Sequence, residues 1–356
     1  MSSRRQFLSA SSALAAAQVL HAGEDSARNE PISVGQIGTK HVHARGKMAA
    51  FRKFPELFRV VGVVEDDREQ RERMKENPAY KDLHWMDTDD LLGTAGLKGV
   101  AVETDIDQLL PTAERCLQAG QHIHLDKPAG TSLPDFRRVC ALADQKNLMI
   151  QMGYMFRSNP AFRFVFRAVR EGWLGDVFQV HCEMSKKIND DTRGRLSRFA
   201  GGSMFELGCH LIDAVVTVLG APQSVTPFLK NTRPDFDTLR DTCLAVFDYP
   251  QATATIRSSL CEVEGGRRRQ FVVCGTRGTI VIRPLEPFRL SLTLEADAGK
   301  YRRGTHAINL PARDGRYDGD MQHFAGVIRG EEPAEYSTAH DLAVQEAVLR
   351  ASGTLQ

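Results

Sequence analysis

The chain has 356 residues, with 46 Lys and Arg against 45 Asp and Glu, so its formal net charge is +1. A charge this close to zero gives no reason to expect nucleic acid or a strongly charged partner. The length exceeds what one hydrophobic core usually supports and fits two domains. The composition is that of an ordinary soluble globular protein.

The first thirty residues have the pattern of an export signal. Residues 3–8 (SRRQFL) resemble a twin-arginine signal, and the apolar residues 9–20 that follow are too few to span a bilayer. We therefore predict that residues 1–30 form an export signal and linker, that the mature protein has no membrane span, and that it is periplasmic or extracytoplasmic. Cleavage after Ala22 and an uncleaved tether both stay open, and a disordered basic tail is the alternative to a signal.

Residues 31–153 alternate between strand-like and helix-like runs. The predicted strands cover residues 31–37, 58–64, 84–86, 99–103, 122–125 and 148–152. Strands that alternate with helices at this spacing predict an α/β fold with a doubly wound parallel sheet of the Rossmann type.

From residue 154 the pattern changes to that of an α+β domain. Helices are predicted at residues 160–171 and 204–219, and the runs between residues 224 and 294 read as strands of a mainly antiparallel sheet. Two final helices, at about residues 320–329 and 338–352, are expected to pack back on the Rossmann domain. The second domain would then extend from residue 154 to residue 356.

The loop after the first predicted strand has the position of a dinucleotide-binding turn. Gly38 occupies the first glycine position of that fingerprint, and Thr39, Lys40 and His41 lead toward the next helix. Lys40 and His43 occupy the second and third glycine positions, so the loop alone is a weak signal. The charge of Lys40 favours phosphate binding, whereas its side chain crowds the backbone approach that glycine allows.

An acidic segment ends the second predicted strand. Glu65 stands where a carboxylate accepts hydrogen bonds from ribose hydroxyls in dinucleotide-binding domains. Asp66 and Asp67 follow, and their charge would repel the 2′-phosphate of NADP. We therefore expect NAD rather than NADP, with a solvated acidic turn as the alternative.

A lysine stands at the exit of the strand predicted at residues 122–125. Pro128 restricts the preceding residue, Lys127, to an extended conformation. Open α/β sheets bind their ligands outside the carboxyl ends of the strands, where Lys127 and the neighbouring Asp126 would lie. This segment alone leaves a functional lysine and a solvated loop lysine equally open.

Three polar residues share one face of a predicted helix in the second domain. Glu206, His210 and Asp213 are spaced by four and three residues and follow two glycines. This stripe indicates a functional surface, with a solvent-exposed His–acid pair as the alternative. No third metal ligand is placed by the spacing, so we expect no metal site.

Two smaller patterns allow more than one interpretation. His122 and His124 face the same side of a strand, which fits a polar domain contact better than a two-ligand metal site, because no partner ligands follow. The seven cysteines form no CxxC pair and lie mostly in apolar runs, so we expect no disulfide framework.

Taken together, these motifs resemble those of the Gfo/Idh/MocA family, which includes glucose–fructose oxidoreductase and inositol dehydrogenase. Residues 126–128 are similar to its Glu-Lys-Pro motif, residues 201–213 to its Gly-Gly and Asp-x-x-x-His motif, and further similarity lies around Arg157 and at residues 274–284. Asp126 replaces the usual Glu, and Glu206 replaces the usual Asp. After Thr104 the chain lacks the family's Pro, Asn and His, which weakens the nicotinamide-side interpretation of that loop.

The resemblance implies an NAD(P)-dependent oxidoreductase that transfers a hydride between nicotinamide and a sugar or polyol. The catalytic residues would be Lys127, which stabilises negative charge on the reacting oxygen, His210 as base, and Glu206 as an orienting group. A homo-oligomer formed through the C-terminal sheet is also expected. The cofactor-binding residues would be Gly38, Thr39, Lys40, His41, Glu65, Thr104, Asp126 and Lys127, and the substrate-binding residues Arg157 and Asp213, with Lys186 and Lys187 as weaker candidates.

Two other functions stay open. One is a glycosidase or lyase that retains NAD and oxidises its sugar only transiently; net release of NADH separates it from a dehydrogenase. The other is a non-catalytic sugar- or nucleotide-binding protein, suggested by the eroded glycine loop and opposed by the presence of Lys127 and His210.

Overall fold

The computed structural model describes residues 30–311 and 315–355, which form two domains, each built on one β-sheet. The predicted export signal lies outside the described residues, so export and the periplasmic location stay predictions. Within the described part of the chain, no helix has the length and apolar character needed to cross a membrane.

The first domain is built on a parallel sheet with strand order β2-β1-β3-β4-β5. The doubly wound Rossmann fold predicted from the sequence is confirmed. The prediction of a strand at residues 84–86 is wrong, because that segment makes only one bridge, between Trp85 and Val63. The strands are β1 (Ile32–Ile37), β2 (Phe58–Val64), β3 (Leu97–Val102), β4 (His122–Leu125) and β5 (Ile150–Met152).

Helices cover both faces of this sheet, as a parallel sheet requires. Every residue of β1 is buried, and so are the last three residues of β2 and the last four of β3. Their Val and Ile side chains form the core that holds the carboxyl ends of the strands in register. The helices are α1 (Ala44–Lys53), α2 (Arg68–Lys75), α3 (Thr88–Leu92), α4 (Leu109–Gln118) and α5 (Leu133–Lys146).

The second domain contains an eight-stranded sheet of order β13-β12-β11-β10-β6-β9-β8-β7. Only the β6–β9 pair is parallel, so the predicted, mainly antiparallel sheet is confirmed. Strand β13 was not predicted. The strands are β6 (Val177–Ser185), β7 (Ser224–Lys230), β8 (Thr242–Asp248), β9 (Thr253–Ser259), β10 (Gln270–Gly275), β11 (Gly278–Leu285), β12 (Phe288–Leu294) and β13 (Gly304–Ile308).

The helices of this domain lie in sequence before, within and after the sheet. They are α6 (Pro160–Arg170), α7 (Asp190–Leu196), α8 (Cys209–Leu219), α9 (Asp318–Ile328) and α10 (Thr338–Ala351). Helix α7 was not predicted from the sequence. Phe178, Phe228 and Leu244, on three strands of this sheet, are exposed, and the predicted oligomer through this sheet stays a prediction.

The last helix connects the two domains. The side-chain oxygen of Gln345, on α10, accepts a hydrogen bond of 3.1 Å from the Ala129 backbone nitrogen, and its side-chain nitrogen donates one of 2.7 Å to the Gly130 carbonyl. Ala129 and Gly130 lie in the loop that follows β4. The C-terminal helix therefore holds the loop that carries Lys127.

Candidate active site

Lys127 lies between the two domains. Strand β4 ends at Leu125, and the Lys127 side chain is 1% exposed although it follows the strand in a loop. Its Nζ donates a hydrogen bond of 2.8 Å to the backbone carbonyl of Glu206, and lies 3.6 Å from Oε2 of the same residue. The interpretation of Lys127 as a solvated loop lysine is therefore wrong.

The segment that carries Glu206 is not a regular α-helix. Residues Met204–Gly208 form a π-helical turn that continues into α8, where the sequence predicted one uninterrupted helix. Gly202 precedes it with φ of 53°, and a Cβ at this position would come within 2.0 Å of the Arg240 carbonyl oxygen. Because single π-turns are frequent at functional sites, this irregularity marks the segment as more than a packing element.

Charge pairing stabilises the ammonium form of Lys127. Burial disfavours that form, but the neighbouring groups, Glu206 first and Asp126 among the others, together outweigh burial, so the pKa of Lys127 is raised above its ordinary value. Burial alone would raise the pKa of Glu206, but the positive groups around it, Lys127 first, hold the pKa of this carboxyl below its usual value. At neutral pH the pair is therefore an ammonium and a carboxylate, and Lys127 is a donor rather than a base.

His210 faces the same region from α8 and is 3% exposed. The ring centroids of Tyr154, Phe156 and His43 lie 6.1, 5.9 and 6.3 Å from that of His210. Burial, followed by the charge of Lys127, lowers the pKa of His210 well below 6.5. Its buried Nδ1 atom has no hydrogen-bond partner in the described ranges, and its lowered pKa makes the imidazole beside this site neutral at pH 7.

Arg157 and Asp213 pair with each other in the protein interior. Arg157 Nη2 lies 2.6 Å from Asp213 Oδ1 and 2.6 Å from Asp341 Oδ1, and its Nε lies 3.0 Å from Asp213 Oδ1. This cluster joins the loop after β5, helix α8 and helix α10. The expected substrate contact of Arg157 and Asp213 gains no support from this placement, because these groups already bind one another. Asp341 was not found from the sequence, since nothing near it signals a buried partner.

On the cofactor side, Thr39 and Glu65 are directly connected. The Thr39 backbone nitrogen and hydroxyl donate hydrogen bonds of 2.9 and 2.7 Å to Glu65 Oε2. Gly38 makes this turn possible, because it has φ of 90° and a Cβ there would lie 2.6 Å from the Thr104 backbone nitrogen. Four residues predicted to bind the cofactor, Gly38, Thr39, Glu65 and Thr104, thus meet at the carboxyl ends of β1, β2 and β3.

A cavity of about 310 Å³ opens beside this turn. Lys40 lies along it, with its Nζ 3.1 Å from Asp67 and 3.8 Å from Asp105. Glu65 and Asp66 complete the acidic part of the lining. Four carboxylates against two cations, Lys40 and Arg115, leave the cavity negative, which favours ribose hydroxyls over a 2′-phosphate.

A second cavity, of about 440 Å³, lies between the domains and is lined by residues from both. His41 and Glu206 reach it from opposite sides. Lys186 and Lys187, the weaker substrate candidates, also line it, and burial lowers the pKa of Lys186. A small molecule bound in this cavity would lie next to the Lys127–Glu206 pair.

His41 and His43 both contact the carboxylate of Asp126. His41 Nδ1 contacts Oδ2, and His43 Nδ1 lies 3.2 Å from Oδ1. Burial opposes protonation of His41, but Asp126 outweighs it and raises the pKa of His41, while burial lowers the pKa of His43 to about 4. His43 was counted only as a missing glycine in the sequence analysis, although an H-x-H pattern beside a predicted ligand-binding strand end could have identified it.

A buried network lies behind Asp126. Lys47, on α1, is fully buried, with its Nζ 3.4 Å from Glu103 and 3.1 Å from His124 Nδ1. Burial, followed by the charge of Asp126, raises the pKa of Glu103 to about 7. His122 is separate from it and accepts a hydrogen bond from the Met149 nitrogen, so the two histidines do not form the expected pair.

Comparison with known proteins gives matches for both domains. Residues 32–154 match a profile described as an oxidoreductase family with an NAD-binding Rossmann fold, and residues 162–281 match one described as the GFO/IDH/MocA C-terminal domain.

Similar curated proteins are oxidoreductases. The chain is 27% identical over 259 residues to the uncharacterized oxidoreductase YdgJ of Escherichia coli (strain K12), which covers 68% of this chain and 70% of YdgJ. It is 28% identical over 332 residues to dTDP-3,4-didehydro-2,6-dideoxy-alpha-D-glucose 3-reductase of Actinomadura kijaniata, which covers 88% of this chain and 93% of the reductase.

Among solved structures, GenD2 from gentamicin A biosynthesis, in complex with NAD, superimposes with a TM-score of 0.74 at 18% identity. The superposition covers 91% of this chain and 94% of GenD2. At this identity the similarity shows the fold alone.

Proposed function

Because the chain belongs to the Gfo/Idh/MocA family of oxidoreductases, we propose that it transfers a hydride between NAD and a hydroxyl-bearing carbon of a sugar or polyol. One observation carries the proposal. The buried ammonium of Lys127 projects from the cofactor domain onto Glu206 of the second domain, at the edge of a cavity large enough for a small polar molecule.

The residues at the first cavity fit a dinucleotide. Gly38 permits the tight turn after β1, where a pyrophosphate would bind, and Glu65 lies at the end of β2, where a ribose would bind. The negative lining supports NAD over NADP. When bound, the nicotinamide accepts or donates the hydride, and the protein supplies orientation, proton transfer and charge stabilisation.

Lys127 supplies the charge stabilisation. A reacting hydroxyl gains negative charge as it loses its proton, and a fixed ammonium in a water-poor site stabilises that charge strongly. The raised pKa of Lys127 keeps the ammonium form at neutral pH. Glu206 holds the lysine in place through both its carbonyl and its carboxylate, and presents the remaining carboxylate surface to a second substrate hydroxyl.

His210 is the group best placed to take the proton. Its lowered pKa keeps the imidazole neutral at pH 7, which is the form that is able to accept a proton. The nearby ammonium of Lys127 weakens it as a base, but the same charge favours loss of the proton from the substrate. Proton transfer to His210 is therefore favoured when the ammonium of Lys127 lies closer to the reacting oxygen than to the imidazole.

The sugar or polyol substrate is supported by the names of relatives. The Actinomadura kijaniata protein is named a reductase of a dTDP-linked hexose derivative, and a Bacillus subtilis (strain 168) relative, 24% identical over 158 residues, is named a scyllo-inositol 2-dehydrogenase. Both names describe oxidation or reduction of a sugar or an inositol. The cavity between the domains fits this class, because it combines polar and charged residues from both sides.

The test is a nucleotide and substrate screen. The protein is purified without added nucleotide, bound NAD(H) is identified by mass spectrometry, and sugars, polyols and aryl glycosides are assayed with and without NAD. Substrate-dependent release of NADH supports the proposal. Glycoside cleavage without net NADH would replace it with the NAD-retaining glycosidase, and absence of any NAD binding would contradict both enzymes.

A further inference from the structure

His41, His43 and Asp126 form a compact cluster of metal-ligand atoms. One imidazole nitrogen from each histidine and one oxygen of Asp126 lie within 4.8 Å of one another. The histidines follow β1 and the aspartate follows β4, so the cluster lies at the carboxyl edge of the sheet, where ligands bind in this kind of fold. The two loops bring these donors together without any contribution from the second domain.

The charges around Asp126 leave it without a lysine or arginine partner. Asp126 is fully buried, yet both neighbouring buried lysines pair with other acids, Lys127 with Glu206 at 3.6 Å and Lys47 with Glu103 at 3.4 Å. Among the described residues, its side chain forms ion pairs only with His41 and His43. A buried carboxylate is costly unless it is paired or coordinates a metal. A metal cation held between the three side chains would be a stronger partner for this carboxylate than the two imidazoles are.

The donor set selects the class of metal. Two imidazoles and one carboxylate suit Zn²⁺, Fe²⁺ and Co²⁺, whereas Mg²⁺ and Ca²⁺ prefer oxygen ligands only. Donors around a tetrahedral zinc, with bonds of about 2.0–2.2 Å, lie about 3.3 Å apart, and His43 Nδ1 and Asp126 Oδ1 are 3.2 Å apart. His41 Nδ1 directly contacts Asp126 Oδ2, so metal binding requires these two atoms to move apart. Three protein ligands leave a coordination position open, as in catalytic zinc sites.

The site is also reachable. His41 lines the cavity of about 440 Å³ between the domains, together with Glu206, so a hydrated ion has a path to the cluster. We propose that His41, His43 and Asp126 bind one divalent transition-metal ion of the zinc class at the edge of this cavity. The ion would lie beside Lys127 and would polarise an oxygen of water or substrate. This inference goes beyond hydride transfer, and metal binding is measured without nucleotide or sugar.

The test titrates metal into the full-length, tag-free protein after dialysis against a chelator. Isothermal titration with Zn²⁺ should show one ion bound per chain, and Co²⁺ should give the visible absorption of a site with nitrogen ligands. His43→Asn and Asp126→Asn should each weaken Zn²⁺ binding by at least about 100-fold, since even the loss of supporting groups around a metal costs 10–100-fold. Exposed His181, on β6, provides the control variant His181→Asn, which should bind as the wild type does.

Two outcomes would overturn the proposal. One is the absence of stoichiometric Zn²⁺ and Co²⁺ binding to the wild type, which would leave an imidazole–carboxylate hydrogen-bond network as the function of the cluster. The other is wild-type affinity in both substituted proteins. Circular dichroism checks that the variants are folded, and His41→Asn replaces Asp126→Asn in the comparison if the buried aspartate proves necessary for folding.

Discussion

Replacing Lys127 by methionine keeps most of the side-chain volume and removes the ammonium. We expect kcat/KM of the proposed oxidation to fall by about 10²–10³-fold, the usual effect of losing one donor to a developing negative charge. The variant also loses the hydrogen bond to the Glu206 carbonyl, 2.8 Å long, worth about 1.5–3 kcal/mol for a charged donor.

The same substitution leaves the Glu206 carboxylate without its partner. At an effective dielectric constant of about 20, charges 3.6 Å apart attract each other by about 4–5 kcal/mol, which is an upper limit because Glu206 still reaches the cavity. Breaking a buried pair commonly lowers the free energy of unfolding by about 3–5 kcal/mol. Lys127→Met should therefore lose both activity and stability.

A double variant separates the two effects. Lys127→Met/Glu206→Gln contains neither charge, so it should regain part of the stability but none of the activity. Initial rates of NADH formation measure the activity, and urea denaturation the stability, with Lys146→Met on the exposed end of α5 as a matched control. Turnover by Lys127→Met equal to that of the control would refute the catalytic assignment, whatever happens to stability.

Three further predictions concern the base, the interior and the cofactor. Because the pKa of His210 is lowered, its neutral form persists at pH 7 and is lost only as the pH falls, so the acid limb of the kcat/KM profile should lie below pH 6.5. The residual activity of His210→Asn should show no such acid limb. Asp341→Asn weakens the partner of Arg157 and should lower the free energy of unfolding by about 1.5–3 kcal/mol in urea titrations while leaving NAD affinity unchanged; equal stability would contradict the structural role of the cluster. NAD should bind more tightly than NADP in calorimetric titrations, and Glu65→Gln should weaken NAD binding at least about tenfold, with Glu56→Gln, at an exposed position, as the control. A preference for NADP would show that the acidic lining does not select the cofactor.

The parts of the site that follow from local sequence were predictable. Alternating strands and helices gave the Rossmann sheet, and a proline directly after Lys127 placed that lysine at a strand exit. The spacing of Glu206 and His210 placed both on the same helical segment, although the π-turn beneath Glu206 has no signature in hydrophobic periodicity. These predictions depend on neighbours within a few positions along the chain.

The parts that depend on distant partners were not predictable. The sequence pattern predicts Lys47 as a surface residue of an amphipathic helix. It is fully buried, because it packs against Glu103, directly after β3, and His124, on β4. Asp213 was correctly placed on the helix, but its partner Arg157 lies 56 positions earlier, so their mutual pairing could not be read from spacing. Burial of charge is a property of tertiary packing, which a single sequence does not reveal.

The two hydrogen bonds between Gln345 and the loop of Ala129 and Gly130 join residues that the ribosome synthesises at very different times. Ala129 and Gly130, which Gln345 binds, lie 216 and 215 positions before it in the chain and are synthesised first. The ribosome therefore releases the strands of the dinucleotide-binding sheet well before the helix that fixes the Lys127 loop. A chain interrupted before residue 345 would contain all five strands of the first sheet but would lack the glutamine that binds the loop after Lys127.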